Sequence, residues 1–155
     1  PEPGFKYNMT DAAAAMGIVQ LQRLCELFDR RMKLVDFYDQ AFAKVEYLKR
    51  PVTKPGYLSS RHLYPIQLNL EMLSITRDEF VVQLQERNIG CSVHYQPVHM
   101  HSYYAKKYGW TPASFPNAAN AFERLISLPL SSRHTLKDGE DVVAAIEEIV
   151  KKFKK

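Results

Sequence analysis

The opening of the chain constrains it most. Residues 4–11 read Gly-Phe-Lys-Tyr-Asn-Met-Thr-Asp and run straight into Ala-Ala-Ala-Ala-Met-Gly-Ile-Val-Gln-Leu at 12–21. Asn8 and Thr10 are both suited to cap a helix, because their side-chain oxygens accept from the unpaired N–H groups of a first turn. Asp11 adds negative charge at the positive end of the helix dipole. No strong stop follows until about Ala43, which predicts a helix of roughly 33 residues, on the order of 50 Å long. Residues 12–22 carry no charge, the pattern of a helix covered all round. From Arg23 onward the pattern becomes amphipathic, with Leu21, Leu24, Phe28, Met32, Val35, Tyr38 and Phe42 at spacings of three and four. The alternative is a helix broken near Gly17 and folded back into its own core.

The rest of the chain alternates short strands with helices. Residues 50–56, Arg-Pro-Val-Thr-Lys-Pro-Gly, are a breaker-rich connection. A strand with one buried face follows over 62–70, and Pro65 places it at an edge or near a strand start. Thr76, Asp78 and Glu79 open a helix with Phe80, Val81, Leu84 and Ile89 inward, ended by Gly90. A strand is expected over 91–95, then an irregular aromatic stretch over 99–114. Pro116 begins a further helix, residues 127–130 read as a strand, and 137–153 form a last amphipathic helix. Together these predict an α+β domain, a small, mostly antiparallel sheet covered by helices in two layers. The expected division is a lead-in and long helix over residues 1–44, then a small domain over 45–155.

Composition excludes several classes. Net charge is +4, partly from the C-terminal Lys-Lys-Phe-Lys-Lys, too little to argue for nucleic acid. No apolar run approaches the ~18 residues that span a membrane. Two cysteines, Cys25 and Cys91, make no disulfide framework, so a cytoplasmic setting is expected. The start at Pro1-Glu2-Pro3, without an initiator methionine, is read as a fragment or a trimmed chain.

The densest polar cluster is Cys-Ser-Val-His-Tyr-Gln-Pro-Val-His-Met-His at 91–101. His94, His99 and His101 are metal-ligand types, but their spacing matches no common ligand step and no second cluster follows, so no metal is expected. Two readings stay open, a loop of simply exposed histidines and a binding loop offering hydrogen bonds and a stacking face to a polar ligand.

Several motifs together carry a family resemblance. The Gly-Phe-Lys-Tyr-Asn-Met-Thr-Asp opening resembles a segment of the DegT/StrS-type sugar aminotransferases, which depend on pyridoxal phosphate. So do Ile-Gly at 89–90, His-Tyr-Gln-Pro-Val-His at 94–99 and Tyr-Tyr at 103–104. His-Leu-Tyr at 62–64, Phe-Pro-Asn-Ala at 115–118 and Glu-Arg-Leu-Ile-Ser-Leu-Pro-Leu at 123–130 continue the match in order. The chain departs at Arg61, where the family often has an aromatic residue, and at the opening, where many members carry Gly-Tyr-Asn-Tyr-Arg.

The resemblance implies the C-terminal small domain of a fold type I pyridoxal-phosphate enzyme. The whole enzyme would transfer an amino group, from glutamate, to a keto-sugar nucleotide for polysaccharide, lipopolysaccharide or related sugar synthesis. The Schiff-base lysine belongs upstream, in a Ser-x-x-x-x-Lys segment followed by Gly-Gly, so no catalytic residue is expected in this chain. The implied partners are an N-terminal large domain, a second subunit of a homodimer and the nucleotide-sugar substrate. Asn8 and Lys6 are implied at the cofactor phosphate, Asn8 having a helix-cap role as its alternative. His94, Tyr95, His99 and His62 are implied on the substrate side. The rival of another class is a basic α+β module that binds RNA or protein; for RNA it would need exposed aromatics inside its strands.

Overall fold

In the computed structural model, which describes residues 2–155, the lead-in over 2–10 has no regular secondary structure and is exposed. Thr10, with extended backbone, accepts from the Ala13 N–H at 3.3 Å and caps helix α1, Asp11–Gln22. Thr10 is therefore the cap, and Asn8 lies outside the helix. After Arg23, helix α2 continues over Leu24–Ala41. The junction is bridged by hydrogen bonds: Arg23 N–H donates to Val19 O at 3.3 Å, and Leu27 N–H donates to Arg23 O at 3.0 Å. The two helices form one rod of ~45 Å from Asp11 to Ala41. The expectation of a long helix holds, and the alternative break near Gly17 does not: Gly17 lies inside α1, where an added Cβ would meet nothing within 4 Å.

The rod changes character along its length. No residue of α1 is buried, and Met16 and Leu21 are each 71% exposed. In α2, Leu34, Val35 and Tyr38 are buried, as is Phe42 just beyond it. This apolar stripe packs against a three-stranded antiparallel sheet in the order β1 (Leu48–Lys49), β2 (Tyr64–Leu68), β3 (Leu125–Leu128). Tyr64 pairs with Leu128, Ile66 with Ile126, and Leu68 with Leu48. Helices α3 (Arg77–Glu86), α4 (Ser102–Tyr108), α5 (Pro116–Arg124) and α6 (Leu136–Phe153) complete the α+β architecture. Phe80 and Leu84 of α3 and Val142, Ile146 and Ile149 of α6 join the same core. At Gly139, α6 approaches α2 so closely that a Cβ would lie 2.5 Å from Leu34 Cδ1.

Pro65 lies near a strand start, as expected, second in the middle strand β2, and is tolerated there because β1 pairs only with Gln67 and Leu68 and never reaches it. Two other sequence expectations are corrected. The strand expected over 91–95 reduces to one bridge, Ser92 with Ser127. Continuation toward His94 would need the outer carbonyl of Leu125, which already accepts from Arg77 Nη1 at 3.1 Å. Continuation the other way meets Pro129, which has no N–H to donate. The stretch 99–114, expected to be irregular, contains α4 and short 3-10 turns over Val98–Met100 and Pro112–Ser114. Gly109, at φ 67, ends α4 in the left-handed conformation that glycine adopts without penalty.

Candidate functional site

The site residues expected from sequence fall into two groups. Lys6 and Asn8 are exposed in the lead-in, just before the positive end of α1. An amide N–H₂ and an ammonium beside a helix N-terminus are a donor set suited to a phosphate. With Thr10 capping the helix, Asn8 has no structural role in the first turn.

The second group lies on the loop between α3 and α4. His94 is half-buried and packs edge-on against Tyr95 at 4.8 Å between ring centroids, while the Tyr95 side chain is 74% exposed. His94 Nδ1 is buried with no hydrogen-bond partner among the described residues. An orphaned ring nitrogen next to an exposed phenol is a place where a polar ligand regains a lost hydrogen bond. His62, just before β2, is exposed.

His99 differs from its neighbours. It is only 5% exposed, and its ring lies 4.9 Å from Phe115. From there a continuous series of ring contacts runs through Trp110, Tyr108 and Tyr104 to Tyr103, with centroid separations between 4.6 and 6.5 Å. The aromatic stretch therefore packs chiefly on itself, holding the 94–99 loop against α5. His99 Nε2 is also buried and unpartnered among the described residues, so a ligand reaching His99 has to displace part of this packing. His101 Nε2 instead lies 3.2 Å from Gln96 O within the loop.

Other chemistries find little support. Among the described residues there is no group of three or more His, Cys, Asp or Glu side chains that could hold a metal ion. No helix among them is long and apolar enough to cross a membrane. The only aromatic residue in the three strands, Tyr64, is fully buried, so the sheet has no stacking platform for RNA. Tyr64 donates to Asp39 Oδ1 at 2.7 Å, and burial first, then that hydrogen bond, push its hydroxyl pKa upward. Sequence reasoning missed Asp39 and Arg50, which pair at 3.3 Å beside Tyr64, because nothing in their spacing marks them.

Residues 2–147 match the DegT/DnrJ/EryC1/StrS aminotransferase family. The chain belongs to this family. It is 41% identical over 150 residues to the spore coat polysaccharide biosynthesis protein SpsC of Bacillus subtilis, covering 96% of this chain and 39% of SpsC. An uncharacterised protein of Methanocaldococcus jannaschii is also 41% identical, over 149 residues, again 96% of this chain and 39% of that protein. Among solved structures, a Streptococcus pneumoniae protein described as a sugar aminotransferase superposes in its PLP form with a TM-score of 0.87. It is 32% identical, with 97% of this chain and 38% of that one covered. The fold is also that of Helicobacter pylori PseC, at a TM-score of 0.87, 23% identity, and coverage of 99% and 40% respectively. The chain thus spans about two-fifths of the length of these family members.

Proposed function

We propose that this chain is the C-terminal part of a pyridoxal-phosphate-dependent enzyme that transfers an amino group from glutamate to a keto-sugar nucleotide, and that it is inactive alone. The observation that carries this reading is the contrast within the rod. The second half of α2 is packed into the core, whereas α1, uncharged after Asp11, and its lead-in are exposed. Family members this similar are some two and a half times longer, so an upstream large domain and a second subunit are natural covers for that surface. SpsC is named for spore coat polysaccharide biosynthesis, which supports a role in making a surface polysaccharide sugar. The resemblance to the sugar aminotransferases favours a homodimer in the cytoplasm.

In this reading each group of side chains has one task. Asn8 donates its amide N–H to the cofactor phosphate, Lys6 supplies a neighbouring positive charge, and the positive end of α1 adds to both. When bound, pyridoxal phosphate supplies the electron sink for amino transfer. His94 and Tyr95 hold the sugar nucleotide by hydrogen bonds and ring contact, with His62 and His99 on the same side. None of these side chains moves a proton in the chemical step; they bind and orient.

The test is spectroscopic. The chain alone, titrated with pyridoxal phosphate, is expected to show only slow labelling of surface lysines, without a stoichiometric absorbance band that responds to glutamate. The intact enzyme is expected to show one. A stoichiometric, glutamate-responsive band from the chain alone would overturn the assignment.

A further inference from the structure

Arg77 occupies a place that disfavours a cation. It is the first residue of α3, at the positive end of the helix dipole. Its side chain is only 9% exposed, whereas the carboxylate it pairs with, Asp78, is 84% exposed and so weakened by solvent. Asp78 Oδ1 lies 2.6 Å from Nε but out of line with the N–H, which has no hydrogen bond among the described residues. The placement secures two other contacts. The guanidinium lies 4.9 Å from the centre of the Phe122 ring, and Nη1 donates to Leu125 O at 3.1 Å.

The position of that carbonyl gives the contact its meaning. On the outer edge of β3, Ser127 exchanges both backbone hydrogen bonds with Ser92, its N–H donating at 2.7 Å and its O accepting at 3.3 Å. In an antiparallel ladder the next such pair lies two residues along each strand, which here is His94 with Leu125. Leu125 N–H is already used, donating to Phe122 O at the end of α5. Its carbonyl is therefore the last group through which the sheet could take hold of His94, and Arg77 holds it. The chain instead leaves the edge as a loop, with Tyr95 74% exposed and His94 Nδ1 without a partner among the described residues.

We propose that Arg77 is a positioning residue for substrate binding. By holding the Leu125 carbonyl it ends the fourth strand after one bridge and leaves His94 and Tyr95 in a loop, where they meet the ligand. Arg77 touches no ligand and acts through His94. Captured by the sheet, His94 and Tyr95 would take up the alternation of a strand and face opposite sides of it. The proposal rests on the reading of His94 and Tyr95 as substrate-side residues, and adds that a buried arginine on another helix sets their presentation. An arginine that only fastened α3 to α5 would make the same contacts, but its loss would not alter the loop.

Amide hydrogen exchange on the full chain and kinetics on the intact enzyme test it together. In the parent chain the His94 amide is expected to exchange at least about tenfold faster than that of Ser127, which the bridge holds. Arg77→Met keeps an apolar stem of similar length and frees the carbonyl, and is expected to slow exchange at His94 about tenfold, the worth of one new hydrogen bond. In the intact enzyme the same variant is expected to raise KM for the sugar nucleotide about tenfold, with kcat and the cofactor absorbance unchanged. Arg77→Lys retains a donor for the carbonyl and is expected to recover most of the parental KM. If Arg77→Met unfolds the chain, the shorter Arg77→Gln takes its place. A His94 amide as protected as that of Ser127 in the parent overturns the proposal. So does a folded Met or Gln variant with parental KM, or one that loses kcat or cofactor instead. Failure of the aminotransferase reading would appear in the parent enzyme as absence of amino transfer, whereas failure of this proposal leaves the parent's amino transfer intact.

Discussion

The Tyr64 hydroxyl donates to Asp39 Oδ1 at 2.7 Å, tying the middle strand of the sheet to the last turn of α2. The Tyr64 ring lies 5.0 Å from that of Tyr38, whose own hydroxyl donates to Pro129 O at 3.0 Å. Two buried phenols thus fasten the long rod to β2 and to the end of β3. Tyr64→Phe keeps the ring and removes one hydrogen bond to a carboxylate, so it is expected to cost about 1.5 kcal/mol in urea unfolding. Asp39 keeps Arg50, which limits the loss. An unchanged unfolding midpoint would show that this bond does not hold the rod.

The exposed face of α1 should govern association of the isolated chain. Ala15 and Ile18 are both exposed, so Ala15→Glu and Ile18→Glu are expected to leave the melting temperature within a degree or two. Sedimentation should show the variants more monomeric than the parent, because exposed apolar patches drive self-association. Unfolding of either variant would mean that α1 belongs to the chain's own core.

Thr10 and Asn8 should separate cleanly. Thr10→Ala removes the α1 cap and is expected to cost about 1 kcal/mol of helix stability, seen as lost ellipticity in the first turns. Asn8→Ala is expected to leave helicity unchanged. In the intact enzyme it should lower cofactor affinity about ten- to a hundredfold, the loss of one charge-assisted hydrogen bond. His94→Ala should do the reverse, raising KM for the sugar nucleotide with cofactor affinity unchanged. Cofactor loss from the His94 variant would show the two groups wrongly divided.

These roles also show how far the sequence could be read. The uncharged run and the Thr10 cap made the rod legible, the alternation of short strands with helices made the α+β class legible, and ordered motifs made the family legible. The two-residue strand β1 carries too few residues to show any alternation. The strand expected at 91–95 failed for a tertiary reason, since Arg77 takes the Leu125 carbonyl that His94 would need. Helix α4 did leave a signal, Lys106 and Lys107 before Gly109, the pattern of a helix end. In the candidate site, the histidines of the 94–99 loop stood out by type, but the burial of His99 under Phe115 depends on α5 and could not be read locally. Nothing in the residues around Arg61 announces its left-handed backbone, at φ 46°.

Acid should act through Glu71. Arg124 holds this carboxylate with two hydrogen bonds, 2.7 and 2.8 Å, and that pairing chiefly lowers its pKa from 4.5 to about 2. A depressed folded-state pKa contributes stability above the unfolded value and loses it as pH falls through the folded value. The contribution of this pair should therefore be full above about pH 4.5 and fade toward pH 2. Carboxyl NMR should find Glu71 titrating near the low value in the parent and higher in Arg124→Gln. An ordinary titration in the parent would show the pair absent in solution.

The most direct measurement of the central claim is amino transfer by the intact enzyme of which this chain is proposed to form the C-terminal part. Supplied with pyridoxal phosphate, glutamate and a keto-sugar nucleotide, it should yield 2-oxoglutarate and an amino-sugar nucleotide in equal amounts by mass spectrometry. Loss of the activity when this chain's segment is deleted, with recovery when the segment is restored, would complete the prediction. Amino transfer confined to substrates without a sugar nucleotide, or undiminished without the segment, would contradict it.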